Sequence, residues 1–406
     1  MKMSSPYLRF LLRAKSYVFG LILINSGLLV PACAQTISEA HLVSHRFGWA
    51  IVDFRVDLTN DGGKTWRDIT PDHDSSEILS GAYFVDNNTG FLTFLAQPSE
   101  VTNSETDSDD NIIIERTTDG GSSWQQSTIP NTQIPSAFLC CKSAKTVFVD
   151  PQHGWLIPHL VSASDSEIGD LFSTMDGGKT WHVLPSPPSP EVPTFVTQDA
   201  GWTIGAGGHS LWRTLNGGRS WTPFTVPPRN ECSSGCEIVY SQPVFLDPLN
   251  GRITVSFRSA ADKSYVIEYT TRNGGNTWTH DDEYLEENGQ ALREYLHFVT
   301  TPNGMIRITI PGLTSIDIAV RSQHKSAKLP SGSTIWQINP SGFLSNDEGW
   351  LIAFIKSASA KEIHDGTYML LVTEDGGASY AQVSPQVICP TCAPSHASPA
   401  SRRGSK

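Results

Sequence analysis

The sequence predicts an all-β fold: a seven-bladed β-propeller of four-stranded antiparallel blades. An eight-residue hairpin pattern recurs six times, and a second pattern that closes on glycine recurs seven times in alternation with it. Together they repeat about every 50 residues, the length of a four-stranded blade. The composition agrees. Gly 33, Pro 26 and Trp 11 with only 17% charged residues describe a turn-rich chain anchored by aromatics, not a helical bundle or coiled coil. A hydrophobic content of 38% spread along the chain excludes disorder of the whole.

The hairpin pattern is T-x-[DN]-G-G-x-[ST]-[WY]. Its first copy, Thr59-Asn60-Asp61-Gly62-Gly63-Lys64-Thr65-Trp66, returns at 117–124, 174–181, 214–221 and 271–278, and a sixth copy at 373–380 ends in Tyr380. Asp-Gly or Asn-Gly supplies the positive φ angles of a tight turn. The side chains of Asp61, Asp119, Asp176, Asn216, Asn273 and Asp375 can bond the turn's own amides, as can the flanking Thr and Ser. Trp66, Trp124, Trp181, Trp221, Trp278 and Tyr380 then open the next strand with a large surface to bury.

The second pattern, Phe84-Val85-Asp86-Asn87-Asn88-Thr89-Gly90-Phe91, is matched at 148–155, 195–202, 245–252, 298–305 and 343–350, with a shortened first copy at 45–49. Each reads as two strands joined by a polar turn. After Gly304 the hairpin box has decayed to Thr314-Ser315-Ile316-Asp317, without Gly-Gly. The interval from Asn273 to Asp375 still spans two periods, so a blade is expected there. The terminal strands must meet to close the ring.

The hairpins resemble the Asp-box (BNR) repeats of sialidases, sortilin-type receptors and xyloglucan-degrading enzymes. Combined with F-x-D-x-x-x-G-W over roughly 40–385, they resemble the seven-bladed photosystem II assembly and stability factors and their bacterial relatives. The repeat from Phe195 to Trp221 matches that pattern best. The resemblance implies a non-catalytic protein-binding platform, an assembly or stability factor for an extracytoplasmic or thylakoid membrane complex.

Both turn types keep a nearly constant length, and alternating strand direction puts them on one face. Length variation falls in the other connections: 99–111, 128–145, 185–193, 226–239 and 281–296. Variable loops on one rim of a rigid scaffold are where binding is usually built. Asp53, Arg55, Arg229, Arg258 and Lys263 are the candidate rim contacts for a protein partner, with Asp53 placed to orient Arg55. The acidic run 281–287 could begin a short helix, with carboxylates in its first turn.

A net charge of −12 excludes a nucleic-acid binder or an anionic-membrane binder. Residues 1–34 read as an export signal: basic over 1–15, apolar over 17–30, too short to span a bilayer comfortably. Ala32-Cys33-Ala34 fits cleavage before Gln35, and Val30-Pro31-Ala32-Cys33 fits lipidation of Cys33; either puts the mature chain, with its propeller at 36–388, outside the cytoplasm. Residues 389–406 read as a disordered Pro/Ser-rich tail. Cys140, Cys141, Cys232, Cys236, Cys389 and Cys392 are an even set, suited to disulfides outside the cytoplasm, or to a zinc site from the last four.

No catalytic residue, metal or cofactor is indicated, and the chain is expected to be a monomer. The alternative is a carbohydrate-active, sialidase-like glycoside hydrolase or a glycan-binding propeller. Its carboxylate pair could be assembled from distant loops.

Overall fold

Hydrogen-bonded pairing gathers the strands into antiparallel sheets, each from one continuous stretch of sequence. The computed structural model describes residues 36–74, 76–96, 111–134, 140–161, 167–226, 236–258, 264–286, 296–301, 304–309, 315–320, 323–328, 333–357 and 366–383, all within the unit 34–388. The first sheet is Ile37–Leu42, Gly48–Val52, Arg55–Thr59 and Arg67–Asp68. The second is Glu77–Phe84, Gly90–Ala96, Ile112–Thr117 and Gln125–Ile129. The fourth is Thr194–Phe195, Gly201–Ile204, Leu211–Thr214 and Thr222–Phe224. The sixth is Leu296–Thr301, Gly304–Thr309, Ser315–Val320 and Gln323–Lys328, and the seventh Ser333–Phe343, Gly349–Ser357, Gly366–Thr373 and Ala381–Gln382.

Two sheets contain an interrupted strand. In the third, Cys140–Phe148, Gly154–Val161 and His182–Leu184 accompany a third strand split at Asp170 into Glu167–Gly169 and Leu171–Thr174, both paired to Gly154–Val161. In the fifth, the first strand is split into Glu237–Tyr240 and Val244–Phe245, followed by Gly251–Arg258, Ser264–Thr271 and Thr279–Glu286. Pro243 lies in that break, where it has no N–H to give the ladder.

The core lies between sheets, which makes the fold a β-propeller of four-stranded antiparallel blades. Trp49, Val56 and Leu58 of the first blade share a cluster with Phe84, Leu92 and Phe94 of the second. Phe91 and Ile114 of the second share one with Phe148 and Leu156 of the third. The last blade packs on the first through Trp350, Ile352 and Leu370 against Ile37, Ala40 and Ala50. Closure is by side-chain packing. No described sheet mixes strands from the two ends of the chain.

The glycine-closing motif follows from this packing. A Cβ on Gly154 would lie 2.3 Å from the Phe148 ring, and one on Gly201 2.6 Å from Phe195, so each phenylalanine lies on its own blade's glycine. Its other face meets the preceding blade: Phe91 stacks on Phe148 at 3.6 Å, and Trp155 on Phe195 at 3.4 Å. Phe, Gly and an aromatic recur together because the three pack on one another at these junctions.

The hairpin boxes share one hydrogen-bond scheme. Thr59 Oγ1 donates to Asp61 at 2.9 Å and accepts from Gly63 N at 2.8 Å, while Asp61 accepts from Thr65 N at 2.8 Å and Thr65 Oγ1 at 2.7 Å. The scheme repeats around Asp119, Asp176 and Asp375, and around Asn216 and Asn273 with one change, the Asn Nδ2 donating to the Ser220 and Thr277 hydroxyls. The first box glycine donates to a carbonyl of the first-to-second turn of its own blade at 2.8–2.9 Å in all six, joining the two turns on one face. The preceding blade then donates to the box: Ser127 to Gly178 O, Trp155 to Gly217 O, Arg213 to Gly274 O, Lys325 to Asp375 O. The boxes therefore bind blades to one another.

These bonds make part of the stability acid-sensitive. The Thr65 amide and hydroxyl hold Asp61 down to about 2, Ser123 does the same for Asp119, and for Asp176 the Thr180 donors overcome opposing burial to give about 2. A depressed folded pKa gives stability that is present above the unfolded value and lost as pH falls through the folded one. Blades two and three are expected to lose amide-exchange protection between about pH 4 and pH 2. Blades four and five, whose boxes carry the non-titrating Asn216 and Asn273, should lose less. Equal loss in both pairs would contradict this origin.

Two expectations need correction. The run 281–287 does not begin a helix; 281–286 continue the edge strand Thr279–Glu286, paired along Ser264–Thr271. A strand edge satisfies every backbone group on one side, and Asp281 reaches the charge of Arg252, whereas carboxylates in a first helical turn gain only the dipole. In the sixth blade Phe298 is not the motif phenylalanine. The strand runs on to Thr301, which faces Gly304 across a two-residue connection, while Phe298 pairs with Arg307.

Candidate functional site

The first strands of the first three blades, with Val43, Trp49 and Val192, line a cavity of about 390 Å³. Its walls are apolar, with Leu42, Val43, Trp49, Phe84 and Val147, and three ionisable groups converge on it. Lys145 Nζ of the third blade reaches both oxygens of Glu39 of the first at 3.3 Å, and His41 Nε2 lies 3.1 Å from the same carboxylate. His41 is held by stacking on Trp49 at 4.7 Å. Burial pushes Glu39 up, but the His41 hydrogen bond and the Lys145 charge outweigh it and leave the carboxyl below its ordinary range. Glu39 is therefore an ionised acceptor at neutral pH and a poor proton donor. The arrangement can hold a polar group against an aromatic wall.

The opposite rim is built around a two-residue turn. Val52 pairs with Arg55, and Asp53 and Phe54 take positive φ angles of 48° and 65°. Asp53 does not orient Arg55. It accepts from Thr36 N at 2.9 Å, while Arg55 is ion-paired to Asp68. Asp57 lies buried beside them, its carboxyl pushed up to about 6 by burial and by the Asp68 charge, against Arg55. Arg258 ends the strand Gly251–Arg258. Arg229 and Lys263 lie outside the described residues.

Cys236 is disulfide-bonded. Cys140 and Cys141 begin the strand Cys140–Phe148. Cys232, Cys389 and Cys392 lie outside the described residues, as do Cys33 and the rest of 1–35 and 384–406. Among the described residues no group of three or more His, Cys, Asp or Glu could hold a metal ion, and no helix is long and apolar enough to cross a membrane.

The box-side face carries features that motif reading passed over. Met175 and Leu215, at the second position of their boxes, are 65% and 63% exposed, and Leu246 and Leu249 in the adjoining turn of the fifth blade are 64% and 58% exposed. Three successive blades thus present large apolar side chains on one face. The signal was in the sequence, at the variable x of the box. The fifth blade adds a second cavity, of about 320 Å³, lined by Val244, Leu246, Asn250, Arg252, Thr270, Arg272 and Asp281 among others.

No family model and no curated protein matches the chain. Solved structures similar to it include YCF48 bound to D1 peptide, at 19% identity and a TM-score of 0.46, covering 84% of this chain and 94% of that one. YCF48 from Cyanidioschyzon merolae is 14% identical with a TM-score of 0.43, covering 85% and 97%. An ancestral GH74 enzyme is 10% identical with a TM-score of 0.43, covering 86% of this chain and 49% of that one.

Proposed function

We propose that the chain is an exported, non-catalytic propeller that binds a protein partner through its box-side face, as an assembly or stability factor for an extracytoplasmic or thylakoid membrane complex. In this reading the sheets form one closed ring of seven blades, and the recurrent hairpins are Asp-boxes, as the sequence resemblance implies. The observation that carries the proposal is the exposure of Met175, Leu215, Leu246 and Leu249 on three successive blades. Large apolar side chains grouped on one face mark an interaction surface, whereas scattered single ones need no explanation. The bonded Cys236 supports an oxidising compartment.

The carboxylates at the two cavities favour binding over hydrolysis. A glycosidase needs one carboxyl that holds its proton near neutral pH and a second facing the same sugar. Glu39 is ionised and paired, and Asp281 of the second cavity is ion-paired to Arg252 at 2.8 Å.

Capture of the full mature chain on its own envelope extract tests the reading. A discrete membrane-protein complex should be recovered, with recovery falling at least tenfold for Met175→Asp/Leu215→Asp and unchanged for Arg55→Glu. Hydrolysis of a glycan panel that disappears in Glu39→Gln, with no protein recovered, would overturn it.

A further inference from the structure

The junction between the fifth and sixth blades lacks the parts that fill the other junctions. At the junctions after blades two, three and four an aromatic on the second strand, Phe91, Trp155 or Trp202, packs toward the next blade. The next blade supplies a phenylalanine and a box, and the box carbonyl accepts a donor from the blade before. In the fifth blade Arg252 stands at the aromatic's position, beside Gly251. In the sixth, Thr301 stands at the phenylalanine's position, and the third and fourth strands are joined by two residues, too few for a box.

The hydrogen bonding of the junction differs as well. At the boxes of the third, fourth, fifth and seventh blades the earlier blade donates to a carbonyl of the later blade's box. Here Glu268 of the fifth blade accepts from Met305 N of the sixth, while Arg252 Nη1 binds Glu268 at 3.2 Å and Asp281 at 2.8 Å. The space where a sixth box would stand is bordered by the 320 Å³ cavity, whose described lining residues come from the fifth blade. Thr270, on its wall, is opposite Arg252 as Arg116 is opposite Phe91 and Arg213 opposite Trp202. A small side chain here leaves open what arginines fill in blades two and four. Arg272 at the edge is exposed and forms no ion pair or hydrogen bond among the described residues.

We infer that this notch is the docking site for a β-turn of a partner protein, one with an acidic side chain and a Gly-Gly backbone, which takes the place of the missing box. The other junctions of the ring show what shape fits, and the uncompensated Arg272 charge at the edge selects an acidic turn. Leu246, exposed on the box-side face, also lines the notch, so the turn enters from the apolar face. This rests on the protein-binding reading and names the element that such a partner would insert.

The test uses the full mature chain and a cyclised hairpin peptide carrying this protein's own 117–124 sequence, Thr-Thr-Asp-Gly-Gly-Ser-Ser-Trp, with a photoreactive group beside the turn. Calorimetry should show saturable binding, with crosslinks at Leu246 and Arg272. Affinity should fall at least tenfold for Thr270→Arg, which fills the notch with the residue blades two and four use, and for the exposed Arg272→Glu. A peptide with Lys in place of the Asp should lose binding to the wild type and regain it with Arg272→Glu. Absence of binding to the wild-type chain, undiminished binding to both variants, or displacement by a neutral oligosaccharide would overturn the inference. Envelope capture separates the two levels. Partner recovery by the wild type that Thr270→Arg and Arg272→Glu leave intact removes the notch but keeps the protein-binding reading; no recovery by the wild type removes that reading.

Discussion

Trp202→Ala is expected to destabilise the chain by about 3–5 kcal/mol, the range for truncating a large buried aromatic. Trp202 is fully buried, meets Phe224 at 5.2 Å and Trp278 at 5.9 Å in near-perpendicular geometry, and carries the Arg213 guanidinium at 5.1 Å from its ring. It also fills the space beneath the next box: a Cβ on Gly275 would lie 2.3 Å from it, and Gly275 has φ of +77°. Losing the indole therefore opens a cavity and unseats the box that ties blade five to blade four. Leu215→Ala, by contrast, removes an exposed side chain and should stay within about 0.5 kcal/mol. Urea unfolding of both variants is the measurement. A loss below about 1 kcal/mol for Trp202→Ala would mean that the junctions do not depend on their aromatic plugs.

Arg252→Ala should cost about 3–5 kcal/mol at neutral pH, because it strands a buried carboxylate. Glu268 is 1% exposed, and burial already pushes its carboxyl above the ordinary range, with Arg252 partly offsetting. Without Arg252 the folded value rises further. An acid whose folded pKa is raised is destabilised where it would be ionised, so stability is lost as pH rises from the unfolded value through the folded one. The variant's deficit should thus be small at pH 4 and grow toward pH 8. Adding Glu268→Gln should restore much of it at pH 8 and abolish its pH dependence. A deficit that is the same at both pH values would assign the effect to lost packing of the arginine stem instead.

These expectations draw on different levels of information. The hairpin turns were legible from local chemistry alone, since Asp-Gly-Gly between Thr and Ser dictates its own φ angles and hydrogen bonds wherever it stands. The F-x-D-x-x-x-G-W turns were legible for the same reason, and their alternation with the boxes placed both on one face. Phe298 misled because it stands at the motif's spacing from Gly304 although the turn is shorter, and only pairing registers show which residue faces the glycine. The acidic run 281–287 misled because local charge pattern favours a helix start while the exposed edge of Ser264–Thr271 offers it a strand.

The site was less legible than the fold. Variable loop length drew attention to one rim, where Arg55 is held by Asp68, while the exposed apolar side chains stand at the variable positions of conserved-length turns on the other face. Glu39 and Lys145 are 106 residues apart and give no sequence signal of meeting.

By itself, the sequence determined what each unit is: a short stretch of alternating residues closed by turns whose glycines and Asp or Asn side chains specify their own geometry. Tertiary structure alone decided how the units meet. Phe91 and Trp155 lie on their neighbours' phenylalanines, the boxes after the first take a donor from the blade before, and the first and last blades close through Trp350 and Ile37. The physical reason is range. Turn energetics act within a few residues and are written locally, whereas a junction's energy depends on two surfaces brought together by the ring, so an arginine in a tryptophan's place acquires meaning only beside the blade that lacks a box.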